Sequence, residues 1–302
     1  MSRIDAAWKR ASGDIVGEMP ALEHSAAAAE SEDEPIGDVA SGVQARTLSR
    51  PVPAAPRPPA ARVPESIRPR TPPLAVPESL AGKLVSSPEM NALSVEQYKR
   101  LAAALHERQI EREIKSLMIT SALPGEGKTL TITNLALTFG NYYGRRVLIV
   151  DADLHRPSVH EMFGIRNDRG LIDALRSSGS SLPAVQVSQG VSVVPAGRGP
   201  ETAVADLSSD RLQALVAEAA TQYDWILFDT PPVAMLTDAQ FVARATDGIL
   251  FVIAAGKTPY AIVQRTLSDL GPDRIVGTVL NRVDERVLPV SAYYHTQYAS
   301  RT

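Results

Sequence analysis

The residues Ser121-Ala122-Leu123-Pro124-Gly125-Glu126-Gly127-Lys128-Thr129 stand between a short apolar run, Leu117-Met118-Ile119-Thr120, and a segment of helical period from Lys128 to Phe139. Gly125 and Gly127 let the backbone curl until its N–H groups point inward, and the following helix adds partial positive charge at the same place. Such a turn is an anion cradle, and Gly127-Lys128-Thr129 is the P-loop ending. A lysine there reaches the outer phosphates of a nucleoside triphosphate, and the threonine hydroxyl can ligate magnesium. The candidate nucleotide cradle is Pro124, Gly125, Glu126, Gly127, Lys128, Thr129 and Leu130. Ala122 replaces the glycine that usually opens the pattern. The bland alternative is a Gly/Pro turn before a helix, which the strand–loop–helix context disfavours.

Carboxylates end two other apolar runs. Leu148-Ile149-Val150-Asp151-Ala152-Asp153 carries two of them one residue apart, which share a side if the strand continues. Ile226-Leu227-Phe228-Asp229-Thr230-Pro231-Pro232 carries another. One acidic strand end alone is more often a cap or turn residue. Two of them beside a P-loop form a constellation, because magnesium takes one or two carboxylates plus phosphate oxygens. Thr129 and the carboxylates of Asp151, Asp153 and Asp229 are the candidate oxygen donors, and ATP with magnesium the implied cofactors. A carboxylate near the γ-phosphate can also accept a proton from an attacking hydroxyl. Lys128, Asp151, Asp153 and Asp229 are therefore the candidate catalytic set. Asp238 reads equally as a helix N-terminal charge or as a supporting residue behind the site. His155 and His160 form no metal-ligand set with cysteine, since the chain has none.

These residues need a rigid frame. Strand candidates fall at residues 117–120, 147–150, 191–194, 225–228, 249–253 and 275–280, and helical segments such as 210–221 and 259–270 separate most of them. Alternating strand and helix predicts an α/β fold: a doubly wound, mostly parallel sheet of the P-loop NTPase type. Ligands on such sheets sit at the carboxyl ends of strands, where all the motifs above fall. Ser94 with Gln97 reads as a capping box opening a helix to about Arg112.

Composition bounds the rest. The chain has 302 residues and a net charge of -3, too near neutral for the basic stripe of a nucleic-acid binder. Residues 1–13 carry no apolar run suited to a secretory signal, and no stretch is long and apolar enough to cross a bilayer. The chain is expected to be cytoplasmic, with any membrane association through a partner. Eleven of the 23 prolines lie between Pro51 and Pro88, and such a segment cannot bury enough apolar surface to offset its ordering entropy. Residues 1–90 are expected to be a disordered Pro/Ala-rich region, with a short helix at 2–12 carrying Ile4, Ala7, Trp8 and Ala11 on one side. Residues 91–285 form the P-loop domain, and 286–302 a flexible tail.

From about Leu93 to Tyr298 the residues resemble the bacterial tyrosine kinases of capsule and exopolysaccharide synthesis, the BY-kinase family. Pro124 to Thr129 matches its Walker A loop, Asp151 to Pro157 its second Walker motif, and Asp229-Thr230-Pro231-Pro232 its Walker B end. Gly170 to Leu175, Val194 to Gly197 and Gly277 to Asn281 look like further family segments. The resemblance implies that Asn281 contacts the adenine base and that Asp151 orients or deprotonates a tyrosine hydroxyl. It implies that Asp153 and Asp229 complete a magnesium site, and that Lys128 neutralises phosphate in the transition state. The phosphoacceptors would be the tail tyrosines Tyr293, Tyr294 and Tyr298, modified in trans. The implied partner is the cytoplasmic tail of a membrane polysaccharide co-polymerase, with protein tyrosines as substrates and homo-oligomers compatible with both. Lys99 and Ala102 stand where the family's assembly helix has arginines, which speaks against a ring. His155 replaces the first of two basic residues, and Glu201 to Leu207 departs from the usual segment. Two rivals stay open: a ParA/MinD-like ATPase, whose crossing lysine is here replaced by Leu123-Pro124, and an ATP-binding interaction module without kinase activity.

Overall fold

Four apolar runs form strands buried along their whole length: β1 (Ser116–Ser121), β2 (Val147–Asp151), β5 (Trp225–Asp229) and β6 (Gly248–Ala254). Strands so apolar on both faces need cover on both, which parallel sheets with crossover helices provide. The computed structural model describes residues 80–177, 181–199, 205–207, 210–233 and 238–284. The expected helix at 2–12, the Pro-rich stretch to residue 79 and Tyr293, Tyr294 and Tyr298 lie outside them. The remaining strands are β3 (Val185–Ser188), β4 (Val191–Val194) and β7 (Ile275–Asn281). The helices are α1 (Ala92–Arg112), α2 (Lys128–Tyr143), α3 (Val159–Phe163), α4 (Leu171–Arg176), α5 (Asp210–Gln222), α6 (Asp238–Ala245) and α7 (Tyr260–Leu270).

The sheet order is β3-β4-β2-β5-β1-β6-β7, parallel except for the β3–β4 pair. Alternate residues feed opposite layers. Leu117, Ile119, Ile149, Leu227 and Leu250 pack with α1 and α2, while Met118, Val150, Phe228 and Phe251 pack with α4 to α7. Phe139 of α2 stacks on Trp225 with ring centroids 4.9 Å apart, which fixes α2 over the sheet. Among the described residues no helix is long and apolar enough to cross a membrane.

Three expectations move. Helix α1 starts at Ala92, because Asn91 Oδ1 accepts the Leu93 N–H at 2.8 Å; the Ser94–Gln97 box is not its cap. Residues ahead of 91 pack onto the domain. Leu84 is 0 % exposed inside the α1/α2 layer, and Asn134 of α2 takes the Val85 N–H on Oδ1 (2.8 Å) and donates to the Lys83 carbonyl (2.9 Å). The proline-dominated average of that stretch hid one apolar pair with a buried amide waiting for it. Strand β3 was not expected at all. It is four residues at the sheet edge with two exposed, so its burial pattern carries little periodic signal.

Candidate active site

Strand order brings the site together. β5 lies between β1 and β2, so the loop after β1, Asp229 at the end of β5 and Asp151 at the end of β2 are neighbours. Asp151 and Asp229 are register partners on adjacent parallel strands, and Ile119 is the partner of Asp229 on the other side. Residues about 80 positions apart thereby share one rim.

The loop from Ala122 to Gly127 is held from beneath by Glu126, which is 2 % exposed. Its Oε2 accepts the Leu123 N–H at 2.7 Å, and its Oε1 accepts the Ala254 N–H at 3.1 Å and the Thr258 hydroxyl. The carboxylate thus bolts the loop to the end of β6, and among the cradle residues its side chain turns inward. Gly127 has φ of 95°, and a Cβ there would overlap the amide of Asn281. That amide donates to the Glu126 carbonyl at 2.8 Å, while Asn281 Oδ1 accepts the Arg282 N–H at 2.9 Å. The Asn281 side chain thus lies against the loop. Lys128 opens α2 with 8 % of its surface exposed.

The Thr129 hydroxyl donates to Asp229 Oδ2 at 2.6 Å and lies 3.0 Å from the Ser158 hydroxyl. Asp229 Oδ1 is buried with no hydrogen-bond partner among the described residues. Burial pushes the Asp229 carboxyl up to about 7, against the pull of the Thr129 hydrogen bond and the Lys128 charge and with a further push from Asp153. Asp151 is 0 % exposed, and its Oδ2 accepts the N–H groups of Ser158 and Val159, both at 3.0 Å. Burial and the charge of Asp229 hold its carboxyl well above the usual range, although those two N–H groups act the other way. β2 stops at Asp151, so Asp153 does not follow it along a strand. The chain turns instead: the Asp153 N–H meets Asp151 Oδ1 at 3.3 Å, and Asp153 Oδ1 accepts the Arg156 N–H at 3.0 Å.

The donor set suits a hard cation. Thr129 Oγ1, Asp229 and the half-exposed Asp153 offer oxygens, and a cation would give the unpartnered Asp229 Oδ1 a counter-charge. Among the described residues no three His, Asp or Glu side chains converge closely enough to hold a metal alone. Phosphate oxygens and water must complete such a shell, which is magnesium's habit.

Two supporting residues emerge. Ser158 was not singled out from sequence, although a serine just ahead of a helical stretch is a cap signal; it precedes α3, yet its hydroxyl faces Thr129 instead of capping. His155 Nε2 lies 2.5 Å from Asp238 Oδ2 and ties the loop after β2 to the start of α6. Asp238 is thus both the first residue of its helix and a brace behind the site. The two outlying motifs also meet: the Leu171 and Ile172 N–H groups donate to the Pro195 and Ala196 carbonyls at 2.8 and 3.0 Å, and a Cβ at Gly170 would overlap Pro195.

Residues 117–297 match the family model for the CobQ/CobB/MinD/ParA nucleotide binding domain. The chain is 36% identical over 202 residues to the tyrosine-protein kinase YwqD of Bacillus subtilis, covering 66% of this chain and 85% of that protein. It is 30% identical over 210 residues to the tyrosine-protein kinase wzc of Salmonella typhimurium, covering 68% of this chain but only 29% of that longer protein. The solved kinase domain of the Escherichia coli tyrosine kinase ETK superposes with a TM-score of 0.58 at 31% identity, over 63% of this chain and 75% of that one.

Proposed function

Because the chain belongs to the bacterial tyrosine kinases, within the CobQ/CobB/MinD/ParA nucleotide-binding family, we propose that it is an ATP-dependent protein-tyrosine autokinase regulating exopolysaccharide or capsule polymerisation and export. Its phosphoacceptors are the tail residues Tyr293, Tyr294 and Tyr298. Its activating partner is the cytoplasmic tail of a membrane polysaccharide co-polymerase, which would hold the chain at the inner face of the plasma membrane. The partner and the polysaccharide role rest on the family resemblance.

The observation that carries the chemistry is the meeting of Lys128, Thr129, Asp151, Asp153 and Asp229 on one rim, from three strand ends. Magnesium-ATP, when bound, supplies the transferable phosphoryl group and a divalent charge to offset it. The curled backbone of Gly125 to Thr129 and the start of α2 bind phosphate oxygens, and Lys128 contributes its ammonium charge in a low-dielectric setting. Thr129, Asp153 and Asp229 are the oxygens for the cation. Asp151 is the proton acceptor for the incoming phenol. Burial and the charge of Asp229 favour its neutral form in the ligand-free chain, and the divalent charge of a bound cation would favour the carboxylate that accepts the proton. The fixed N–H groups of Ser158 and Val159 hold the carboxylate in one orientation.

Incubation with magnesium-ATP should produce phosphotyrosine, abolished in Lys128→Met and greatly reduced when Tyr293, Tyr294 and Tyr298 become Phe. ATP turnover without phosphotyrosine, even with the partner's tail present, would instead favour a ParA/MinD-like ATPase. ATP binding without turnover would favour a docking module.

A further inference from the structure

Five tyrosines lie among the described residues, and their hydroxyls are not equivalent. Tyr98 is only partly exposed and packs against the α1/α2 core. Tyr143 is 38 % exposed, but its hydroxyl donates to the Lys99 carbonyl at 3.0 Å. Tyr223 and Tyr260 are only partly exposed. Tyr142 is the most exposed of the five at 48 %, and its hydroxyl has no hydrogen-bond partner among the described residues. The Lys99 ammonium sits 4.5 Å from the centre of its ring. Tyr142 also forms one wall of a groove of about 540 Å³ that Val85, Ser86, Met90, Val95, Glu96 and Lys99 help to line.

We propose that Tyr142 is a further phosphoacceptor of this chain, modified by a second copy. The assignment rests on the tyrosine-kinase reading and deepens it. Three properties carry it. The phenol is free and accessible, as an attacking nucleophile must be. A cation already lies over the ring, so the phosphorylated product finds a partner without rebuilding the surface. A phosphotyrosine carries about −1.5 to −2 charges and gains most beside a lysine or arginine. Lys99 on α1 can swing from the ring face toward that phosphate. Its ammonium offsets the unfavourable sign of the helix C-terminus for an anion. A phosphate held by Lys99 would cross-link α1 to α2.

The geometry also decides between cis and trans. Lys128 opens α2 and Tyr142 lies in its last turn. Fourteen helical steps of ~1.5 Å separate them by about 21 Å, and a rigid, sheet-packed helix cannot fold its end back onto its start. Tyr142 can therefore reach only another copy's site. In the transfer, Tyr142 Oη forms a bond to the γ-phosphorus of ATP. The bond from that phosphorus to the β–γ bridging oxygen breaks, and ADP leaves with the electron pair. The phenolic proton passes to Asp151 of the donor copy.

The test uses the full chain with magnesium-ATP and peptide mass spectrometry of every tyrosine. The expected result is phosphate on the Tyr142 peptide of wild type. In the chain with Tyr293, Tyr294 and Tyr298 changed to Phe, the residual phosphotyrosine should map to Tyr142. A mass-labelled Lys128→Met chain mixed with wild type should acquire phosphate at its own Tyr142. The initial rate there should rise about fourfold when both are doubled, as a bimolecular step requires. Tyr142→Phe should remove this phosphate and leave ATP turnover and the circular-dichroism melt unchanged. Phosphate on the tail with none on Tyr142 would overturn this assignment and leave the kinase reading standing. Phosphate at Tyr142 with no transfer to the labelled Lys128→Met copy would overturn the trans route. Absence of phosphotyrosine everywhere would remove both.

Discussion

Asp229→Asn should abolish phosphotransfer and yet stabilise the ligand-free chain at pH 8. Burial raises the Asp229 carboxyl from 3.8 to about 7, so the folded state holds its proton more tightly than the unfolded one. The stability this contributes is fully present below about pH 4 and is lost as pH rises toward 7. Above 7 the folded protein carries a buried charge whose Oδ1 has no partner among the described residues. A difference of about 3 in pKa, at ~1.4 kcal/mol each, sets a ceiling of ~4 kcal/mol. Asparagine can still accept the Thr129 hydroxyl, but it removes the charge that faces Lys128. The difference of about 3 already includes the pull of Lys128, and relaxation and water penetration bring the expected gain to ~1–2 kcal/mol at pH 8. At pH 4, where both versions are neutral, the gain should vanish. The assay is urea unfolding of both chains across this range, in chelator and without nucleotide. A destabilised Asp229→Asn chain at pH 8, or a difference independent of pH, would refute the reasoning.

Three further outcomes follow from buried contacts. Glu126→Ala orphans two backbone N–H groups and the Thr258 hydroxyl, and should cost ~2–4 kcal/mol in thermal or urea unfolding and weaken binding of an ATP analogue. Leu84→Ala should cost ~2–4 kcal/mol, since Leu84 is fully buried; a change near zero would refute the packing of this stretch onto the domain. His155→Ala frees the loop after β2 from Asp238. It should cost about 1 kcal/mol or less of stability while raising the magnesium concentration needed for half-maximal binding of an ATP analogue several-fold, and His155→Arg should restore most of it.

How far the sequence reaches depends on the range of the interaction. The loop from Pro124 to Thr129 could be read directly because glycine, lysine and threonine act within one turn of chain, and backbone curl is a local property. The buried strands were equally legible, since continuous apolar runs such as Ile249 to Ala254 have few other places to go. The parallel doubly wound class followed from their alternation with helices. Local reading failed where one partner was distant or the pattern short. The β3 edge strand has too few buried positions to announce itself, and Asp153 left the strand because a side-chain turn on Asp151 outcompeted extension.

What the chain itself determined is the inventory: a phosphate loop, carboxylates at two strand ends with a third close behind, and a layered frame. Only the tertiary structure decided their relations, because each rests on residues far apart in sequence. Strand order set β5 between β1 and β2 and so put Asp229 against Thr129. Packing turned Glu126 and Asn281 onto the loop's underside, drew Leu84 into the core, and left Tyr142 exposed beside Lys99. Burial then raised two carboxyls that in water would be ordinary acids, a property of the fold's low-dielectric interior and not of any residue alone.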